Sequence, residues 1–93
     1  MTTDVDATLA ERGSRYGKFK DHAKITQELK RAIFRHIDTV SKVELDDDQL
    51  EALEMICHKI GRIVNGDPDY PDSWVDIAGY AKLVADRLEG VER

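Results

Sequence analysis

Glu51 and Glu54, in the run Glu51-Ala52-Leu53-Glu54, stand one helical turn apart and so put two carboxylates on neighbouring positions of a helix. Helical bundles hold Mg²⁺ or Mn²⁺ with oxygen ligands in this arrangement, and an ion held there can bind substrate phosphates and activate a water for attack on phosphorus. Asp72 and Asp76, four residues apart on the next segment, can add one or two ligands. Glu51, Glu54, Asp72 and Asp76 are therefore the candidate metal set, and Glu51, Glu54 and Asp76 the candidate catalytic carboxylates. Lys59 and Arg62, one turn apart, can hold a phosphate, or they can pair with the two aspartates and tie the helices together.

A second cluster precedes these residues. Gly13 and Gly17 enclose Ser14, Arg15 and Tyr16, with Lys18 and Phe19 following. Glycines at that spacing permit a tight turn or a close approach to a ligand, and Arg15, Tyr16 and Lys18 suit a phosphate or a stacked base. The alternative is a turn whose Tyr16 and Phe19 cover the end of the molecule. Arg15 and Tyr16 thus join Lys59, Arg62 and Tyr80 as candidate substrate-binding residues. There is no Ser/His/Asp set in a known local motif, no phosphate loop, no dinucleotide fingerprint and no zinc helix motif. The single cysteine, Cys57, excludes an internal disulfide and a cysteine zinc site, and its place in an amphipathic helix marks it as a small core residue.

The elements that must carry these residues follow from periodicity. Apolar residues recur at three- and four-residue intervals in 21–40 (Ile25, Leu29, Ala32, Ile33, Ile37, Val40), in 46–65 (Leu50, Leu53, Ile56, Cys57, Ile60, Ile63, Val64) and in 73–89 (Trp74, Ile77, Ala78, Ala81, Val84, Ala85, Leu88). Each predicts a helix with one core stripe. Asp46 with Gln49 is a capping-box pattern, and Asp46 to Asp48 complement the helix dipole without any metal. Asn65-Gly66 ends that helix, and Pro68 and Pro71 keep it from continuing. Ser73 with Asp76 resembles a second capping box. A short helix over 1–12, capped by Asp4 or Asp6 and ended by Gly13, completes the reading. The fold class predicted is all-α, an antiparallel helical bundle of three long helices plus a short N-terminal helix, in one domain over 1–93. In the last helix Asp76, Gly79, Tyr80 and Leu83 share a face that a purely solvated surface would not explain, so a ligand or another subunit is expected there.

Ninety-three residues bury a modest fraction of their surface, which makes a homo-oligomer, a dimer or higher, the expected state. A content of 41% hydrophobic and 35% charged residues fits a globular chain, and no apolar run reaches the roughly 18 residues of a membrane span. A cytoplasmic protein with no membrane partner is expected. The formal net charge of −5 argues against nonspecific nucleic-acid binding, and no recognition-helix pattern accompanies the basic first half. Charge is nevertheless polarised, with Arg12, Arg15, Lys18, Lys20, Lys24, Lys30, Arg31 and Arg35 early and Glu44, Asp46, Asp47, Asp48, Glu51 and Glu54 later. Solvated faces account for this, as would an anion at one end and a metal at the other.

The blocks Arg12-Gly13 with Tyr16-Gly17-Lys18-Phe19, Glu51 to Pro68, and Asp72 to Ala81 resemble a group of small proteins encoded by bacteriophages and prophages. That group is similar, distantly, to the all-α nucleoside triphosphate pyrophosphohydrolases of the MazG kind, dimerising bundles that use Mg²⁺ held by an ExxE pair on one helix and an ExxD pair on the next. The resemblance implies that Glu51 and Glu54 are the first pair and that Lys59 and Arg62 lie on the phosphate side, with Tyr80 or Tyr16 against the base. The second pair departs from the pattern, since Asp72 and Asp76 are four apart. Two functions follow: a Mg²⁺-dependent nucleoside triphosphate pyrophosphohydrolase or nucleotide-binding protein, or a noncatalytic phage accessory module acting by self-association or host-protein binding.

Overall fold

A computed structural model describes residues 3–93. The described residues form four helices and no strand: α1 (Thr3–Tyr16), α2 (Phe19–His36), α3 (Asp47–Asn65) and α4 (Pro71–Leu88). The all-α class is as the periodicity predicts. The expected N-terminal helix began at residue 1, and its first two positions lie outside the described residues.

α3 has the expected bounds, and the reason is local. The Asp46 backbone is extended and its N–H donates to Gln49 Oε1 at 2.9 Å, one half of the capping box. The other helices depart from their expected ends. α1 does not stop at Gly13 but runs on to Tyr16, so Asp4 and Asp6 lie inside its first turn, where they complement the dipole. A glycine inside a helix costs about 1 kcal/mol, and it is offset here by contacts beyond it. Arg15 pairs with Glu11 at 3.0 Å, and the Asn65 side-chain amide donates to the carbonyls of Tyr16 and Lys18 at 2.8 and 3.1 Å. Gly17 makes the turn into α2 with φ +76°, a conformation that favours glycine. α2 then begins at Phe19, and past His36 its last turn widens over Ile37–Ser41, closed by the Lys42 N–H on the Ile37 carbonyl at 2.8 Å. α4 begins at Pro71, whose ring presets the first helical residue. Ser73 is consequently not a cap; it is buried within the helix.

α3 is in contact with α1, α2 and α4, whereas α2 and α4 do not touch among the described residues. The contacts fall on two flanks of α3. On one, Gly61 lies against His22 and Thr26 of α2, both more than nine-tenths buried, and Lys30 is 3.9 Å from Glu54. On the other, Lys59 pairs with Asp76 at 2.9 Å, and Arg87 reaches Asp46 and Asp48, its Nε 2.7 Å from Asp48 Oδ2. At 100° per residue the two flanks are nearly opposite, so α2, α3 and α4 form an open layer. α1 lies across one side of it, with the Asp67 N–H donating to the Arg15 carbonyl at 2.6 Å.

This arrangement corrects the expected core. Only Ala52, Cys57 and Ile63 are buried apolar residues among those described, and the α4 stripe is largely open, with Trp74 55% and Leu88 58% exposed. α4 meets α3 through Asp76, Tyr80, Val84 and Arg87, of which only Val84 belongs to the stripe that the periodicity marks as core.

Two glycines test the packing. A Cβ on Gly61 would lie 2.9 Å from His22 Cδ2 and closer still to Thr26 Oγ1, whereas one on Gly79 would meet nothing within 4 Å. Gly61→Ala is expected to destabilise the fold by about 1–3 kcal/mol, and Gly79→Ala to stabilise it by up to about 1 kcal/mol. Urea unfolding followed by circular dichroism measures both.

Candidate functional site

The residues singled out by their chemistry are distributed over several places along α3. Lys59 is buried and engaged with Asp76. That is the helix-tying alternative, and it leaves Asp76 facing an ammonium group. Glu54 faces Lys30 on the opposite flank. Asp72 accepts a hydrogen bond from the Tyr70 hydroxyl at 2.9 Å, which raises the Tyr70 pKa through that bond and through burial. Glu51 is exposed and, with Tyr80, Ala52, Leu83 and Arg87, lines a groove of about 430 Å³. Among the described residues there is no group of three or more His, Cys, Asp or Glu placed to hold a metal ion. An ion held by these four carboxylates would have to compete with Lys59 at Asp76 and with Lys30 at Glu54.

The cationic and aromatic candidates do converge. The Arg62 guanidinium lies over the Tyr16 ring at 4.2 Å, and that of Arg15 over Tyr70 at 4.4 Å while also donating to the Tyr70 hydroxyl. Tyr16 and Tyr70 meet edge to face with centroids 6.2 Å apart. Beside this stack, between α1 and the α2–α3 pair, is a groove of about 670 Å³. Its walls carry the cations Arg12, Lys18 and Arg62 and the rings of Tyr16, Phe19, His22 and His58, and none of its lining residues is acidic.

The positive surroundings register on His58. Burial, together with the nearby His22, Arg62, Lys59 and Lys30, lowers its pKa from 6.5 to about 4. His22 contacts it ring to ring at 4.6 Å and places Nε2 2.9 Å from the His58 carbonyl oxygen and 3.3 Å from Thr26 Oγ1. At neutral pH His58 is an uncharged wall of the groove.

Several of these groups escape the sequence reading. Arg12 and His22 line the groove, and Tyr70 supports Arg15. One signal was available: Arg12 and Tyr16 are four apart, so a helix passing through Gly13 puts both on one face. Nothing local marks His22 as buried.

The model of the domain of unknown function DUF6378 matches residues 2–88. The chain belongs to the DUF6378 family. No curated protein and no solved structure matches it. In this member of the DUF6378 family the cations and rings around the groove are the groups that the fold brings together.

His58 sets a pH dependence. Its pKa is lower folded than unfolded, so the unfolded chain binds the proton more readily between the two values. Stability is fully present above about pH 6.5 and declines as pH falls toward about 4. Melting temperatures of wild type and His58→Gln over pH 7.5 to 4 are expected to diverge, with the wild type showing the steeper loss.

Proposed function

We propose that this protein binds a nucleoside triphosphate in the groove between α1 and the α2–α3 pair. The observation that carries the reading is that Arg12, Lys18 and Arg62 line one cavity with Tyr16 and Phe19 and with no acidic wall residue. A polyphosphate needs guanidinium and ammonium donors, and a base needs a ring to stack on; the groove supplies both within a volume typical of small-ligand sites. Arg62 serves both ends, since Tyr16 holds its guanidinium flat at 4.2 Å while its remaining N–H groups stay available to phosphate. An anion bound beside His58 would raise its lowered pKa, so nucleotide binding is expected to be accompanied by proton uptake below neutral pH.

The resemblance to phage-encoded proteins and, more distantly, to MazG-like pyrophosphohydrolases supports a nucleotide as the ligand. Hydrolysis of the triphosphate to monophosphate and pyrophosphate remains the catalytic form of this proposal, with Mg²⁺ the cation to supply in its test. Mg²⁺ would enter with the nucleotide's own phosphates, and no step is assigned to Glu51, Glu54, Asp72 or Asp76. The second reading, a phage accessory module that acts by association, is favoured by the exposed apolar stripe of α4.

Titration calorimetry and thermal shift with a panel of ribo- and deoxyribonucleoside triphosphates, with and without Mg²⁺, test the proposal. At one hundred times Kd a bound nucleotide stabilises the fold by about 2.7 kcal/mol, a rise of well over five degrees for a chain of this size. Inorganic triphosphate is expected to bind more weakly because it has no base to stack. Arg62→Ala is expected to weaken nucleotide binding about 10- to 100-fold, the loss of a charge-assisted contact. No shift with any nucleotide at millimolar concentration would refute the reading, and pyrophosphate release with Mg²⁺ decides whether binding leads to hydrolysis.

A further inference from the structure

The side of the helical layer turned away from α1 has no cover. On α3 the α2-facing residues Glu54, His58 and Gly61 and the α4-facing residues Ala52 and Lys59 leave a ridge of Leu53, Ile56, Ile60 and Val64 between them on that side. Val64 is 64% exposed, and the other three are partly exposed, none of them among the buried core residues. Flanking the ridge are the apolar stripes of α2, through Ile25 and Leu29, and of α4, through Trp74 and Ile77. The three stripes that the periodicity marks as core thus share one face, and that face is incompletely covered, most of all at Val64 and Trp74.

Size and shape indicate what covers it. The chain exposes 6840 Å², where a compact monomer of this length exposes roughly 5,500 Å². The excess, roughly 1,300 Å², exceeds the roughly 800 Å² that each partner contributes to a standard interface. The radius of gyration, 15.6 Å, likewise exceeds the roughly 12 Å expected of a compact chain of 93 residues. The α3 ridge carries no charged residue, so two copies can meet there without burying an unpaired charge.

We propose that a second copy of this chain covers the face, with the α2, α3 and α4 layers of two protomers packed against each other in a two-fold homodimer. Such an interface is self-complementary, each apolar ridge meeting its own copy about the axis. It differs from the Asp76, Gly79, Tyr80, Leu83 surface expected to mediate association, and it lies on the side of α3 away from the nucleotide groove. It does not depend on nucleotide binding.

Sedimentation of the wild-type chain at micromolar concentration is expected to give twice the chain mass. Trp74, the only tryptophan, reports the location: its emission should shift to the blue and its acrylamide quenching fall in the dimer, both reversing on dilution. Val64→Lys alters a side chain already exposed in the single chain, so it is expected to keep the helical circular dichroism and sediment as a monomer, while nucleotide binding persists or is absent as in wild type. A wild-type monomer at 100 µM, equal quenching of Trp74 in both states, or a Val64→Lys chain that remains dimeric would each overturn the proposal.

Discussion

The contacts of α3 determine the rest of this molecule. α1, α2 and α4 all pack against it, α2 and α4 have no contact with each other among the described residues, and each meets α3 along a flank of small or polar groups. Gly61 allows α2 to approach until His22 and Thr26 are enclosed, and Ala52 and Lys59 receive α4. Helices that meet through small residues approach closely but bury little apolar area. The larger apolar side chains of α3 are consequently directed between the flanks, where this chain alone cannot enclose them. At roughly 25 cal/mol per Å² of apolar surface, leaving that face wet forgoes a large part of the stabilisation available to so short a chain.

The electrostatics follow from where helix ends meet. The C-termini of α1 and α3 come together at Tyr16, Asn65 and Asp67, and both present carbonyl ends of negative partial charge. Arg15, Lys18 and Arg62 are placed to offset that charge, which is sufficient reason for some basic residues there. It does not account for Arg12, or for the absence of acidic residues from the groove wall. At the other end of α3 the polarity is reversed: Asp46 and Asp48 at its N-terminus are matched by Arg87, which lowers the Asp48 pKa and raises that of Arg87. One end is thus neutralised by a specific ion-pair network, while the other retains cationic groups around a cavity.

Periodicity and capping made the helices legible, and α3 most completely, because Asp46, Gln49, Asn65 and Gly66 are local signals that depend on nothing distant. Gly13 misled because the contacts that carry α1 past it come from Asn65, remote in sequence. Which side of α4 faces α3 was not legible for a different reason. A stripe of Trp74, Ile77, Ala81 and Leu88 states that one side is apolar, but not whether its cover comes from the same chain. Spacing likewise put Lys59 beside the aspartates, and the ion pair with Asp76 was among the alternatives it left open; the burial of Lys59 against a half-exposed Asp76 favours a structural tie. Arg15, Tyr16 and Arg62 were legible by residue type, and the fold gathered them for a reason no spacing contains, the meeting of two helix C-termini.

The two open features lie on opposite sides of α3 and share its backbone. Arg62 stands on the groove side and Ile60 on the ridge side, two residues apart and so about 200° around the helix. A contact that fixes the axial position of α3 from one side therefore restricts it on the other. Because His22 is wedged between His58 and Thr26, any such movement of α3 is transmitted to α2 through enclosed polar contacts rather than through fluid apolar packing. The buried His22 and the partly buried His58 thus join α2 to α3 beside the groove, on the side of α3 away from the ridge.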